Sequence, residues 1–373
     1  MTLSRRKILS LIGGGAILSA AVPATGFVLT RTPHKALQPW ALAGNYDDPR
    51  MNAMSYALLA PNPHNRQPWL AELIGKNQVD IYRDPQRDLP VTDPFARQLT
   101  IGMGCFLELM EMAAEGLGFT VSTALFPDGE EGPVARCRFT PAQPKLDPLF
   151  AYVANRRSHK EGFKAKAVGD ERAERLSSYA RVFNKGAEVD ILKRIAHDAW
   201  IAEATTPAAW QESIDLLRIG KAEINSNPDG INVGGPMLEA LSILGIFTRE
   251  AAADPENPGA KAAIESTANA ILSSPAFTVI TTPTNTRFDQ IEAGRNWLRL
   301  NLATTGLGLA LRPVSQSLQE YKEVQPFYDE IHERFAPANG TVQMLGLLGY
   351  GKSTSRTPRW PLETRMIDAP RGQ

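Results

Sequence analysis

The clearest hydrophobic pattern in the chain predicts a long helix over residues 93–118. Its apolar side chains recur three and four positions apart, at 99, 103, 106, 107, 110, 113, 114 and 117. That spacing places them on one helix face. Asp93 and Pro94 form a typical N-cap and first helical residue, and Gly116 and Gly118 mark the end. We therefore predict an amphipathic helix against the core.

Shorter patterns predict the remaining elements. Alternating or continuous apolar runs predict two strands within 70–82, around residues 75–77, and further strands at 121–126, 134–139, 277–282 and 342–348. Helical periods predict helices at 48–60, 171–183, 191–204 and 290–305. Residues 31–45 are predicted to be a linker.

The long helix recurs 190 positions later. Seven residues in 22 ungapped positions are identical, and Gly104 meets Gly294 in this register. We interpret the repeat as an internal duplication with its boundary near residue 150. Glycine at both positions predicts that the two long helices approach closely at a central seam.

Composition is that of a large folded protein with no net charge. The 373 residues include 40 basic and 40 acidic side chains, with 43% apolar residues. The length fits two domains or one duplicated domain. Neutrality gives no electrostatic case for nucleic-acid binding, which needs a basic face.

Cysteine and histidine suggest no metal site. Cys105 lies in an apolar helical run, which favours a packed thiol, and Cys137 is the other cysteine. The five histidines are scattered without ligand spacing. We predict neither a disulfide framework nor a metal centre.

The first 30 residues are predicted to be an export signal or a membrane anchor. Residues 4–9 read Ser-Arg-Arg-Lys-Ile-Leu, a match to a twin-arginine signal, and a weakly apolar run follows. The expected partner is the twin-arginine export machinery, and the expected location is the periplasm. An uncleaved anchor over residues 8–29, holding the protein to the outer face of the inner membrane, is the alternative.

The segment 61–69 is rich in groups suited to a flat heterocycle. Its three prolines restrict the backbone, while Asn65 and Gln67 carry amides that both donate and accept hydrogen bonds. Trp69 adds a planar ring. A proline-rich surface turn is the alternative.

Residues 60–69, Ala-Pro-Asn-Pro-His-Asn-Arg-Gln-Pro-Trp, resemble the A-P-S-x-x-N-x-Q-P-W signature of FMN-dependent nitroreductases. The histidine at the fifth position resembles the Acg-type members, which fuse two nitroreductase-like halves. The resemblance implies an α+β fold of two halves, each with a mostly antiparallel sheet packed by helices. It implies FMN as the cofactor, with Pro61, Asn62, Pro63, Asn65 and Gln67 beside it.

A basic run opens the second half. Arg156, Arg157, Ser158 and Lys160 could grip a phosphate, although such a run alone is usually a solvated face. By resemblance it corresponds to the R-x-S-x-K/R clamp of nitroreductases. Arg359, with Arg356 second, resembles the tail that closes the phosphate site.

The resemblance also places Pro313, Ser315 and Gln316 beside the flavin ring. The first half (46–146) keeps the loop and the second (147–373) keeps the clamp. One FMN per chain is therefore implied, in a monomeric pseudodimer. An insertion at about 208–263 has no counterpart in the first half and is expected to be a lid or a surface excursion.

One further motif has to be weighed. Residues 346–353 satisfy G-x-x-x-x-G-K-[ST], the phosphate-binding loop of nucleotide hydrolases. That loop needs a helix directly after it, and the proline-containing segment 353–358 predicts none. We do not expect a nucleoside triphosphate site.

The expected function is an FMN-dependent oxidoreductase that reduces nitroaromatic or quinone-like small molecules by ping-pong hydride or electron transfer. No catalytic acid or base is assigned, because the flavin supplies the chemistry. The alternative is a protein that binds and sequesters FMN beneath a closed lid, with little turnover. A flavin-free remnant is the third reading.

Overall fold

The computed structural model describes residues 30–367. The predicted twin-arginine signal at 1–30 and the alternative anchor at 8–29 lie, apart from Thr30, outside the described residues.

The first half contains a four-stranded antiparallel sheet. Its strands are β1 (Trp69–Ile74), β2 (Gln78–Arg83), β3 (Phe119–Leu125) and β4 (Ala135–Pro141), in the order β1-β2-β4-β3. Its helices are α1 (His34–Leu37), α2 (Pro39–Leu42), α3 (Pro49–Ala57) and α4 (Arg97–Gly116).

The second half contains a second four-stranded antiparallel sheet, in the order β5-β8-β10-β9, and a small parallel pair, β6-β7. The strands are β5 (Arg181–Phe183), β6 (Leu217–Ile219), β7 (Ile231–Val233), β8 (Ala276–Thr282), β9 (Ala310–Pro313) and β10 (Thr341–Gly349). The helices are α5 (Asp170–Glu174), α6 (Ala187–Thr205), α7 (Pro207–Asp215), α8 (Gly220–Ser226), α9 (Pro236–Ile243), α10 (Arg249–Ala253), α11 (Pro258–Leu272), α12 (Arg287–Gly306) and α13 (Gln325–Phe335).

Short 3-10 turns complete the connections. They span Pro63–Asn65, Pro85–Arg87, Pro148–Tyr152, Gln316–Leu318, Lys322–Val324 and Leu362–Arg365. The expected α+β architecture of two antiparallel sheets with helices packed on them is confirmed.

The long helices α4 and α12 cross at two glycines. A Cβ on Gly104 would lie 2.2 Å from the carbonyl oxygen of Ile291, and one on Gly294 would lie 2.0 Å from that of Ile101. Only hydrogen fits at either position. The predicted close approach of the two helices is confirmed.

Ion pairs extend the same seam. Arg295 Nη1 lies 2.8 Å from a Glu108 oxygen and 2.6 Å from a Glu111 oxygen, and Arg299 Nη1 lies 2.9 Å from Asp147. The side chains of α4 and α12 also contribute to one hydrophobic cluster with the first sheet, while a second cluster fills the space between the second sheet and α6. The core is thus continuous from one half into the other.

Two predicted element boundaries were wrong. The long helix begins at Arg97 and not at Asp93, because Ala96 adopts a left-handed conformation with φ 53°. Asp93 still caps the helix, since its carboxylate accepts hydrogen bonds from the backbone N–H groups of Gln98 and Leu99 at 3.0 and 2.9 Å.

The helix predicted over 171–183 ends early. Only Asp170–Glu174 is helical, and Arg181–Phe183 pairs with β8 as an edge strand. Pairing with β8 satisfies backbone hydrogen bonds of this segment. A longer helix would leave the edge of the second sheet unpaired.

The segment expected to be a linker is packed. It contains α1 and α2, and the buried Trp40 donates its indole N–H to the carbonyl oxygen of Thr357 at 2.8 Å. The insertion is also folded, with α7 to α10, β6, β7 and the start of α11.

Beyond β10, residues 350–361 contain no helix, so the 346–353 motif lacks the element that a phosphate-binding loop requires. Across residues 30–367, none of the helices combines the length and the apolar character needed to cross a bilayer.

Candidate functional site

The proline-rich loop has a strained backbone. His64, Asn65 and Gln67 all have positive φ, at 46°, 53° and 51°, a region that non-glycine residues adopt at a cost. The side chain of Asn62 fixes the turn, because its Oδ1 accepts the Gln67 N–H at 2.7 Å. Such strain persists only where surrounding contacts over-determine the conformation.

Those contacts come from two distant segments. Asn65 Nδ2 donates to the carbonyl oxygens of Pro228 at 3.2 Å and Pro358 at 3.1 Å. Gln67 Nε2 donates to Pro228 at 2.7 Å, and its Oε1 accepts the Trp360 N–H at 2.8 Å. The loop, the insertion and the C-terminal segment therefore meet at one point.

A cavity of about 210 Å³, here called the basic cavity, opens beside the loop. The loop, the basic run, β7, β9 and the C-terminal segment all contribute to its wall. The lining residues are Trp40, Pro61, Asn62, His64, Asn65, Arg156, Arg157, Ser158, Lys160, Gly230, Ile231, Asn232, Pro313, Thr357 and Arg359. Parts of the chain up to about three hundred residues apart are brought together here.

Arg156 is the most telling of these side chains. It is only 3% exposed, its Nη2 donates to the carbonyl oxygen of Leu59 at 2.9 Å, and its Nη1 has no partner. Burial lowers the pKa of Arg156 to about 10, so the group stays cationic at neutral pH. A buried cation with an unused donor is costly unless an anion reaches it.

Arg359 positions the loop. Its guanidinium donates to the carbonyl oxygens of Leu58, Leu59 and Ala60 at 2.6, 3.2 and 3.1 Å, and to Asn65 Oδ1 at 2.7 Å. Burial, then the nearby Arg156 and Arg157, lower the pKa of Arg359 to about 9.

The cation cluster has no acidic counterpart. Among residues 30–367, no carboxylate forms an ion pair with Arg156, Arg157, Lys160 or Arg359, and none lines the basic cavity. The uncompensated positive charge favours an anionic ligand.

A second cavity, about 220 Å³ in volume and here called the inner cavity, adjoins the first. It shares Pro61, Asn62, His64, Ser158 and Pro313 with the basic cavity. Its other walls come from the proline-rich loop, α4, α12, β10 and the segment after β9. The residues are Pro63, Gln98, Ile101, Gly102, Cys105, Trp297, Ser315, Gln316 and Met344. The mixture of apolar faces and neutral amides suits a flat, uncharged ring system.

Cys105 lies in this wall as a packed thiol. Its Sγ lies 3.1 Å from the carbonyl oxygen of Gly294, and burial raises its pKa to about 12. At neutral pH it is protonated and therefore a poor nucleophile. Within the described residues no group of three histidine, cysteine or acidic side chains could hold a metal ion.

Most of the site residues proposed from sequence line one or both cavities. Two do not. Gln67 is fully buried with its amide committed to main-chain groups, and Arg356 is exposed near the ring of Trp40, 5.4 Å from its centroid.

Sequence reasoning left several lining residues unassigned. His64 lines both cavities, although its place in the loop signature predicted no contact for it. Trp40 lies in the segment that was predicted to be a linker. Gly230, Ile231 and Asn232 lie in the insertion at about 208–263 that was expected to be a lid or a surface excursion. The lack of a counterpart in the first half indicated the region but gave no means of selecting these residues.

The lid-like segment is held down by a buried ion cluster. Asp229 is 2% exposed and pairs with Arg66 at 2.7 Å, Arg218 at 3.1 Å and also Arg87. Gly230 donates its N–H to the Asn65 carbonyl oxygen at 3.3 Å. The insertion is thus attached directly to the strained loop.

Fold and site together define an α+β protein of two halves that pack across a pair of long helices, with a cation-lined cleft where loop, basic run and tail meet. No family model matches the sequence. Two curated relatives, from two strains of Mycobacterium tuberculosis, are provisionally described as NAD(P)H nitroreductases. Each is 23% identical over 343 residues, covering 83% of this chain and 91% of the relative.

Solved structures with a similar chain trace are also described as nitroreductases. The FMN-dependent nitroreductase of Mycobacterium smegmatis in complex with NADPH is 17% identical, with a TM-score of 0.36, and covers 60% of this chain and 98% of its own. A provisionally described nitroreductase from Anabaena variabilis is 11% identical, with a TM-score of 0.40, and covers 91% and 93%. The sequence comparison supports a relationship with nitroreductase-like proteins over most of the chain.

Proposed function

We propose that this chain is an FMN-dependent oxidoreductase of the nitroreductase type that holds one flavin between its two halves. The observation that carries the proposal is the buried cation cluster at Arg156 and Arg359. This cluster lacks a carboxylate partner in the described chain and lies beside the inner cavity, which no charged side chain lines. The relatives' descriptions and the loop signature support the same class.

The residues present fit FMN. Arg156, Ser158, Lys160 and Arg359 would hold the phosphate, and the unpartnered Arg156 Nη1 supplies a donor for it. Asn62, Pro63, Pro313, Ser315 and Gln316 would border the ring in the inner cavity. Gln67 would act indirectly by fixing the loop, and Arg356 would lie outside the contact.

When bound, the flavin supplies hydride or electron transfer. The chain's own contribution is to orient the ring and limit water beside it. No carboxylate lines the inner cavity, and burial lowers the pKa of His64, which therefore favours its neutral form. A nitroaromatic or quinone-like acceptor would bind in the same pocket after the oxidised form of the reductant has left.

The remaining parts of the proposal concern location and assembly. The resemblance of residues 60–69 supports an Acg-type pseudodimer that acts as a monomer, and residues 4–9 support twin-arginine export to the periplasm. Outside the cytoplasm NAD(P)H is scarce, so an exported enzyme would need another reductant.

Reconstitution with FMN tests the binding site. Purified wild-type protein should retain about one FMN per chain after gel filtration. Arg156→Gln should weaken FMN about 10- to 100-fold, as expected for a lost charge-assisted hydrogen bond of about 1.5–3 kcal/mol. Arg138→Gln, which removes a cation from the exposed face of β4, is the matched control and should bind normally. A wild-type protein that stays colourless after reconstitution contradicts the proposal.

A second candidate is a protein that sequesters FMN. The specific observation in its favour is Asp229, whose buried pairing with three arginines fastens the insertion against the loop. Anaerobic mixing of the loaded protein with NADPH and with dithionite distinguishes the two. Rapid bleaching of the flavin absorbance by NADPH supports the reductase, whereas bleaching by neither reductant supports sequestration. Bleaching by dithionite alone shows that NADPH is not the donor. Reoxidation of that reduced flavin by a nitroaromatic or a quinone under anaerobic conditions then supports an enzyme with a different donor, and persistence of the reduced flavin supports sequestration.

A further inference from the structure

A third and larger cavity, about 490 Å³ in volume, lies between the insertion and the second sheet. We call it the apolar cavity. Its wall is formed mainly by aromatic and aliphatic side chains of α6, α7, β6, β7, α11 and the segment between α9 and α10. Among them are Trp200, Trp210, Ile214, Phe247 and Ile271. A pocket of this size and character is of the kind that binds small organic molecules.

The apolar cavity is adjacent to the proposed flavin site but separate from it. His64, Pro313 and Gln316 belong to the walls of both the apolar and the inner cavity. None of the basic run lines the apolar cavity. A ligand there would touch three of the residues that also border the inner cavity.

One charged group stands out in this wall. Glu203 is 3% exposed, and its Oε1 accepts the Gln316 amide N–H at 3.3 Å. Its Oε2 has no partner at hydrogen-bond distance in the described chain, although the Gln319 amide lies near enough to lower the pKa of the carboxyl. Arg312 also lines the cavity, but its guanidinium donates to the Lys160 carbonyl oxygen at 2.8 Å and to Thr267, and not to Glu203. A buried carboxyl with an unused oxygen carries a desolvation cost that a ligand could remove.

We propose that the apolar cavity binds a small aromatic molecule that carries one hydroxyl group, with Glu203 Oε2 as the hydrogen-bond partner of that hydroxyl. The indole rings of Trp200 and Trp210 and the phenyl ring of Phe247 offer edges and faces for the aromatic body. The proposal does not depend on flavin binding, because most of the wall, including Trp200, Glu203 and Trp210, belongs to the apolar cavity alone.

A hydroxyl suits this carboxyl in both of its charge states. Burial raises the pKa of Glu203 to about 7, so neutral and ionised forms coexist near neutral pH. The ionised form accepts a hydrogen bond from the hydroxyl, and the neutral form can donate one to it. Ligands that only donate or only accept lose one of these arrangements.

Calorimetric titration with 1-naphthol and naphthalene tests the proposal on the wild-type protein. The two probes share the apolar body and differ in one hydroxyl. We expect 1-naphthol to bind at least about 10-fold more tightly, the ratio for a hydrogen bond to a charged group. Equal affinities, or no binding of either probe, would overturn the proposal.

Two variants locate the effect. Glu203→Leu should abolish the preference for 1-naphthol while leaving naphthalene bound, whereas Ala260→Phe, which fills the cavity from α11, should remove both. Circular dichroism checks that each variant is folded.

Titrations of FMN-loaded and flavin-free protein separate this proposal from the proposed function. Equal affinity for 1-naphthol in both states supports a site distinct from the flavin site. The proposal for the apolar cavity then holds even if FMN fails to bind. Displacement of FMN by 1-naphthol would place the probe in the inner cavity and overturn the assignment.

Discussion

Arg156 and Arg359 show how two buried cations of the same type divide their work. Arg359 donates four hydrogen bonds to the loop and its preceding carbonyl groups, which shape the cavity wall. Arg156 donates one and leaves Nη1 unused. The first arginine therefore positions other groups, while the second keeps bonding capacity for a ligand.

At the same scale, Glu203 should make stability depend on pH. Burial is the largest cause that raises its pKa from 4.5 to about 7; the amides of Gln319 and Gln316 oppose the shift, and Glu212 adds to it. Between these two values the folded protein keeps a proton that the unfolded chain releases. The free energy of unfolding should fall as the pH rises from about 4.5 to 7, by on the order of 3 kcal/mol, and then level off.

The comparison for this prediction is Glu203→Gln, which keeps the shape of the side chain and cannot ionise. Urea unfolding of both proteins across this pH range should show the wild type losing stability relative to the variant as the pH rises. Parallel curves for the two proteins would show that Glu203 does not titrate in this range.

Among the secondary-structure elements, the crossing of α4 and α12 fixes how the two halves meet. The two glycines at the crossing face backbone atoms of the opposite helix, which cannot move aside as a flexible side chain could. The ion pairs of Arg295 and Arg299 lie along the same contact and hold its register.

Gly104→Ala should therefore destabilise the protein by about 1–3 kcal/mol or more, the usual cost of overpacking. Gly116→Ala is the control, because a Cβ there would meet only the end of the Leu146 side chain, at 3.3 Å. It should be neutral or slightly stabilising, since alanine favours a helix. Urea denaturation measures both; equal effects would mean that the helices can separate freely.

The attachment of the insertion gives a second prediction at this scale. Asp229→Asn leaves Arg66 and Arg218 without a carboxylate partner and Arg87 with Asp84 alone. Loss of a buried partner usually costs about 3–5 kcal/mol. Hydrogen exchange of peptides covering 226–233 should accelerate, and a loaded protein should be reduced faster.

Asp170→Asn is the matched control for Asp229→Asn. It removes the exposed pair with Lys185 and should change neither measurement, because exposed ion pairs contribute little. Unchanged exchange in Asp229→Asn would show that other contacts hold the insertion.

The strongly periodic elements could be predicted from sequence, and their tertiary adjustments could not. The helical period located α4 within a few residues, but the left-handed Ala96 and the capping by Asp93 from four residues upstream are set by surrounding contacts. Arg181–Phe183 was predicted to be helical because local preference does not report a neighbouring strand such as β8.

Over the whole molecule, the two sheets and the seam form one framework, and the candidate site lies where parts of both halves converge. Sequence reasoning proposed the loop, the basic run and the tail, because each has a local pattern. It could not assign Trp40, or Gly230 and Asn232, whose positions depend on contacts between segments more than one hundred residues apart in the chain. Nor could it show that the amide of Gln67 is used up by main-chain partners.

A shared core predicts that both halves unfold together and that FMN stabilises both. Calorimetry should show one transition for the wild-type protein. FMN at about 100 times its wild-type dissociation constant should add about 2.7 kcal/mol to the free energy of unfolding of the wild type. The gain should be only about 0.4–1.4 kcal/mol for Arg156→Gln, which binds FMN about 10- to 100-fold more weakly. Two separate transitions, only one of which shifts with FMN, would contradict a common core.

The C-terminal segment has a consequence for the order of biosynthesis. Arg359 and Trp360 reach back across the whole chain to residues 58–67, and Ile367 donates its N–H to Ala71 in β1. During translation the first half emerges and can begin to fold while this segment is still unmade. The proline-rich loop must therefore wait, incompletely held, until Arg359 and Trp360 have been synthesised, and a ligand that needs the finished pocket cannot enter before then.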